Sequence, residues 1–245
     1  MLYVSIFCYV ISKSVEDPSA FVVEEIDRGE RAEWPCFRTL ARARRAFGEM
    51  VVAVDHSSLI AKARSRAAGK FWDSHCDVWL TIDDDIDASE QDLRALVGAV
   101  RDGADVVLAP CVLRDGSTIN VATDERRVRT TKHGTRLVEV AAGGLALAAL
   151  SHKAIGKMAE WYSELRWRNP DTNDAGVGLF LEEVRDGRWY GEDISFCRRA
   201  SLLGLRIEAT PDTNVMHAGK VGSIREWLDA GEAVTTIEGR RPAND

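Results

Sequence analysis

The chain lacks several features that would classify it at once. Its five cysteines (Cys8, Cys36, Cys76, Cys111 and Cys197) include no Cys-x-x-Cys pair. An odd, scattered set in mostly apolar settings indicates packed, reduced thiols and argues against a disulfide framework. No apolar run is long enough to span a bilayer: residues 2–11 are too few, and no basic segment precedes them as a secretory leader requires. The expectation is a cytoplasmic protein with no transmembrane segment. A basic excess is also missing. The net charge of −7 disfavours an undirected electrostatic grip on nucleic acid but leaves room for a local basic patch. Neither an internal repeat nor a low-complexity tract is present. What remains is 45% hydrophobic and 29% charged residues in 245 positions, the composition of a globular chain with one large α/β domain or two small ones.

The stretch 78–87 reads Val-Trp-Leu-Thr-Ile-Asp-Asp-Asp-Ile-Asp. Its apolar half, without strict alternation, predicts a buried strand of an α/β sheet. Its acidic half then lies at the strand's carboxyl end, where open α/β sheets bind ligands. Three adjacent carboxylates, Asp83, Asp84 and Asp85, repel one another unless a cation or hydrogen-bond donors compensate them. Oxygen ligands suit Mg²⁺ or Mn²⁺. An acidic turn capping the next helix is the other reading, and the triplet alone favours neither.

Along the chain, strands are predicted at 3–11, 50–54, 78–82 and 105–110. Helices are predicted at 35–47, from a Ser57 or Ser58 cap to about 74, and at 89–102. Residues 12–33 read as loop, and the arginines of 35–47 as a solvated face. This alternation predicts a parallel, doubly wound sheet with helices on both faces. It sets Asp55 on the same rim as Asp83–Asp85, where Asp55 either contacts a nucleotide or begins a turn. Beyond 110 the pattern changes to hairpins and loops, with an Arg-Asp-Gly turn at 114–116. The segment 126–136 carries Arg126, Arg127, Arg129, Lys132 and Arg136 without an acid; it is an exposed face or a grip for an anionic acceptor. Gly143-Gly144 interrupts an apolar run and suggests a bulge or a ligand close to the backbone. A helix at 152–167 and a mobile loop at 169–178 follow. Glu192 and Asp193 open another helix, which Gly204 ends; acids there complement the helix dipole in any case. A short strand at 206–210, His217 and a last helix at 224–230 complete the reading.

Taken in order, these pieces resemble the GT-A-fold glycosyltransferases, most closely the family 2 type. The residues that carry the likeness are a strand ending in Asp55, the helical Ala63-Arg64-Ser65, and Asp83-Asp84-Asp85 as an Asp-x-Asp motif. Gly143-Gly144 within an apolar strand, Gly191-Glu192-Asp193-Ile194-Ser195-Phe196-Cys197-Arg198-Arg199, and His217-Ala218-Gly219 complete it. Ser65 stands where many relatives have Asn, and 126–136 matches no family motif. The resemblance implies one GT-A domain over 1–245: a nucleotide-binding half (1–110), an acceptor and catalytic half with a smaller β region (111–221), and a C-terminal helix and tail (222–245).

It also implies roles. Asp55 resembles the acid on the nucleobase, and Arg64 a residue near the nucleotide. Asp83 resembles the acid near the ribose, with Asp84, Gly143 and Gly144 grouped with the donor site. Asp85 and His217 resemble ligands of Mn²⁺ or Mg²⁺, and Asp193, with Glu192 beside it, the base of inverting members. The implied reaction moves a sugar from a nucleotide-diphosphate donor, UDP being commonest in the family, to an acceptor hydroxyl. Acceptors consistent with this range from a glycan or glycoconjugate to an anionic one such as modified DNA at 126–136. A retaining transferase and a nucleotide-sugar-binding module without turnover are the alternatives.

Overall fold

The computed structural model describes residues 1–7, 35–55, 57, 59–112, 119–122, 127–171, 174–217 and 220–222. Its centre is an eight-stranded sheet. The spatial order is β2 (Met50–Asp55), β1 (Leu2–Phe7), β3 (Val78–Asp83), β10 (Leu147–Ser151), β5 (Val106–Leu108), β15 (Ile207–Ala209), β8 (Arg136–Glu139) and β7 (Val128–Thr130). Strands β1, β2, β3, β5, β7 and β15 point one way; β8 and β10 point the other. The sheet is therefore mostly parallel, as expected of this fold class. Of its two antiparallel strands, β10 enters between β3 and β5. Its sequence Leu-Ala-Ala-Leu-Ser is apolar on both faces, and such a pattern is silent about direction.

Helices cover both faces. The inward residues of α1 (Pro35–Phe47) and α3 (Glu90–Arg101), such as Phe37, Leu40, Leu93 and Leu96, share one core with Leu2, Val4, Ile6, Leu80 and Ile82. Those of α2 (Ile60–Trp72), α4 (His152–Trp161) and α5 (Glu192–Leu202) share the other with Tyr3 and Trp79. The alternation along β1 and β3 thus feeds two cores, which is why both strands are largely apolar. Trp79 is fully buried and donates its indole N–H to Ser5 Oγ at 2.8 Å. Truncating it to alanine would cost about 3–5 kcal/mol.

Four small sheets decorate this layer: β4 (Ile86–Asp87) with β16 (Val215–His217) and β17 (Lys220–Gly222), β6 (Val121–Ala122) with β9 (Ala142–Gly143), β11 (Arg166–Arg168) with β12 (Ala175–Val177), and β13 (Glu183–Arg185) with β14 (Arg188–Tyr190). Several expectations need correction. No serine caps α2: its N-cap is Leu59, without a side-chain bond, and Ser57 Oγ instead accepts from Leu59 N–H. The helix at 152 stops at Trp161, and Arg166–Arg168 is a strand. Part of the loop at 169–178 is β12, its partner. Nor are Arg38 and Arg42 simply solvated, since both bind the Asp87 carboxylate and hold β4 against α1. Helix α3 forms where it is predicted, and a reciprocal Ser89–Asp92 box caps it. Residues 8–34, Ser58, the turn at 114–116, Arg126, Ala218-Gly219 and the helix at 224–230 lie outside the described residues.

Candidate functional site

The first contributors are set by the register of the sheet. Asp55 at the end of β2 and Asp83 at the end of β3 both pair in register with Phe7 of β1, so they stand level on the carboxyl rim. Asp55 Oδ1 accepts the Ser57 N–H at 2.9 Å, the turn role, and Oδ2 lies 3.3 Å from Arg66 Nε. Asp84 and Asp85 form the turn between β3 and β4.

Arg64 is the hub. Its side chain is only 2% exposed, yet it meets three carboxylates from two places in the chain. One guanidinium nitrogen contacts both oxygens of Asp83 at 3.1 Å, and the other binds Glu192 at 3.1 Å and Asp193 more closely. The Leu145 N–H donates to Asp193 Oδ2 at 3.0 Å. One cation facing three carboxylates leaves a formal surplus of two negative charges. Burial shifts two of these acids toward their protonated forms. Burial pushes the Asp83 carboxyl up to about 7, against the pull of Arg64, and Asp193 and Asp85 add to the rise. Burial raises Asp193 too, opposed by Arg64 and assisted by Glu192.

His217 reaches the same rim through the pairing of β16 with β4, in which it stands opposite Ile86. Its Nδ1 lies 3.0 Å from the Val112 carbonyl and its Nε2 3.2 Å from Asp85 Oδ2. A carbonyl only accepts, so Nδ1 carries the proton and the Nε2 of a neutral ring offers a lone pair. Two acceptors would then face each other at 3.2 Å, an arrangement satisfied by ring protonation or by a cation between them. A histidine that donates its second nitrogen to a backbone carbonyl is the usual metal-ligand arrangement. Among the described residues no group of three His, Cys, Asp or Glu side chains is placed to hold a metal ion. A cation held here would therefore take its other ligands from water or a bound substrate, as Mg²⁺ commonly does.

Gly143 and Gly144 have a packing reason of their own. A Cβ on Gly143 would lie 2.8 Å from Val121 Cγ1, and one on Gly144 2.5 Å from Asn120 Nδ2. The close approach is by the chain itself, and it delivers Leu145 N–H to Asp193. Two thiols sit nearby: burial, with Asp83 and Asp85 adding, pushes Cys111 up to about 12, and burial does the same for Cys197. The basic run lies elsewhere and is largely occupied. Arg129 pairs with Glu208, Lys132 and His133 with Asp102, and Arg136 with Asp212. The Arg64 hub and the Leu145 N–H were not visible in the sequence. The doubled glycine before Leu145 was the nearest signal.

No protein-family model matches the chain, and no curated protein matches it significantly. Solved structures do. A197 from STIV superposes with a TM-score of 0.50 at 16% identity, covering 98% of this chain and 99% of that one. Looser likenesses are GalNAc-T7 with UDP, GalNAc and Mn²⁺ (TM-score 0.44, 13% identity, 91% of this chain and 45% of that one) and CMP:2-keto-3-deoxy-manno-octonic acid synthetase with CTP (TM-score 0.39, 13% identity, 94% and 96%). What the chain shares with A197 is the fold.

Proposed function

We propose that the chain is a nucleotide-sugar-dependent glycosyltransferase that uses Mn²⁺ or Mg²⁺ and acts on an acceptor hydroxyl. One observation carries this reading: Asp83, the Asp85–His217 pair and Asp193 gather on the carboxyl rim from three separate parts of the chain. Asp85 and His217 would hold the cation, which when bound supplies charge neutralisation for a departing diphosphate. We assign Asp55 to the nucleobase and Asp83 to the ribose. Arg64 fixes the spacing between Asp83 and Asp193, since its planar fork binds both. Asp193 is assigned the acceptor proton. Its two hydrogen bonds leave lone pairs free, and the burial that raises its pKa moves it toward that of an effective base.

The engagement of both Asp193 oxygens, by Arg64 and by Leu145 N–H, favours a second reading, in which Asp193 only organises the site of a retaining transferase or a binding module. A screen of UDP-, GDP- and dTDP-sugars with Mn²⁺, followed by thermal shift and donor hydrolysis, tests the class. We expect one donor to bind only with the cation, and Asp85→Asn to abolish that dependence. A shift with Mn²⁺ that no nucleotide extends would reduce the acids to a structural cation site. Asp193→Asn should keep donor binding and lower turnover about 10²–10⁴-fold. A product of retained anomeric configuration would remove the base assignment.

A further inference from the structure

Helix α2 carries cations on two sides. Arg64 serves the rim, whereas Arg66, which also reaches Asp55, and Lys70 line a cavity of about 600 Å³ between the later turns of α2 and the β11–β12 hairpin. Two glycines shape it. A Cβ on Gly176 would lie 2.7 Å from the Ser65 carbonyl oxygen, and one on Gly69 would lie 3.0 Å from Gly176 Cα. Helix and hairpin thus meet backbone to backbone, an approach that side chains would prevent. The half-buried Trp72 and Trp167 supply apolar wall, and the Arg166 guanidinium lies over Trp72, 4.3 Å from the ring centroid. Such stacking fixes the plane of an arginine and leaves its N–H edge for a ligand.

The charges are lopsided. Four cations, Arg66, Lys70, Arg166 and Arg168, line the cavity with two acids, Asp73 and Asp174, and Asp55 engages Arg66 from the rim, in a chain whose net charge is −7. Arg66 is shared between Asp55 (3.3 Å) and Asp174 (3.6 Å). Lys70 and Arg166 are exposed and form no ion pair with any described residue. The run at 126–136, by contrast, has largely spent its cations on Glu208, Asp102 and Asp212.

We propose that this cavity binds a phosphomonoester carried on a ring, a sugar phosphate or a mononucleotide, at a site distinct from the carboxylate rim. The volume lies within the range of small-molecule pockets, about 300–1,000 Å³, which is too small for a folded partner. A phosphomonoester carries a charge of about −1.5 to −2 at neutral pH, and so matches the surplus better than a carboxylate. Arginine binds phosphate in a two-point fork, with lysine as a point charge. The indoles offer the ring a flat apolar face.

The test is isothermal titration of the whole chain with glucose 1-phosphate, UMP, glucose and inorganic phosphate, in buffer containing a chelator. Glucose 1-phosphate or UMP should bind wild type and Asp85→Asn alike, and which of the two binds more tightly identifies the ring. The Lys70→Ala/Arg166→Ala double variant should lose about tenfold or more in affinity, and glucose should not bind. Both side chains are exposed, so a thermal melt should show the double variant folded. Lys70→Gln alone, which removes one charge and nothing from the stack, should give an intermediate loss. Absence of binding at millimolar concentration would overturn the proposal. So would binding that needs Mn²⁺ and disappears in Asp85→Asn while the double variant retains it, for the ligand would then sit on the rim. Inorganic phosphate binding as tightly as the ring compounds would overturn the stacking contribution. The inference does not depend on the transferase reading, which fails or stands on the cation-dependent donor screen.

Discussion

Two arginines on one helix, Arg64 and Arg66, sit two residues apart and live in different electrostatic worlds. Arg64 is sealed in and outnumbered by carboxylates three to one. Arg66 borders a cavity in which cations outnumber acids four to two. On a helix, neighbours two apart point to different sides, so one element separates a negative site from a positive one. What a charge does is decided by the partners the fold brings to it, and the basic run at 126–136 teaches the same lesson from the other side.

Removing the hub should give the largest effect. Arg64→Ala leaves Asp83, Glu192 and Asp193 without their shared cation and should destabilise the chain by about 3–5 kcal/mol, read from urea unfolding. A change below about 1 kcal/mol would mean that the acids are already compensated without it. Gly176→Ala comes next. Its Cβ would meet the Ser65 backbone at 2.7 Å, and the expected cost is about 1–3 kcal/mol. The hairpin should move off α2, so ligand binding in the cavity should fall while the rim is unaffected. Arg129→Ala should cost a similar or smaller amount, about 1–3 kcal/mol, because Glu208 is buried and loses its partner. It should leave phosphate binding untouched, which is the sharpest contrast with Lys70 and Arg166.

The smallest effect is expected at Asp77. Burial raises this carboxyl, but Arg101 outweighs it and holds it at about 2, against 3.8 for the free group. Because the folded value is the lower one, the pair stabilises the fold above 3.8 and loses that contribution as the pH falls toward about 2. Both partners are close to half exposed, so Asp77→Asn should cost no more than about 1 kcal/mol near neutral pH. The difference from wild type should vanish in acid. A gap that widens on acidification would reverse the sign of the argument.

How much could be read without coordinates varied with distance along the chain. Helix α1 was legible to its ends, because Pro35 and the apolar spacing of Phe37, Leu40 and Ala43 are local signals. The helix from Glu90 to Arg101 was legible too, though its Ser89–Asp92 cap was not read. The rim could be anticipated at Asp55 and Asp83, since both terminate strands that run the same way. The hub could not. Arg64 is 19 residues from Asp83 and 129 from Asp193, and nothing near Arg64 announces either. The direction of β10 was hidden because an apolar strand buried on both faces has no directional mark. The run at 126–136 invited an anionic partner because its acids, Asp102, Glu208 and Asp212, are all remote in sequence.

The buried cysteines carry a chemical consequence of their own. Cys36, Cys76, Cys111 and Cys197 are buried, and Cys111 and Cys197 are held as thiols far above neutral pH. A protonated thiol is a poor nucleophile and a poor metal ligand. The sulfurs next to Asp83, Asp85 and Asp193 are therefore poor ligands themselves, and the rim offers oxygen and imidazole donors instead. The same burial gives these four sulfurs little reactivity toward thiol reagents. A cysteine introduced at exposed Lys70 or Arg166 would react ahead of them, and a probe placed there would report on the flank of α2.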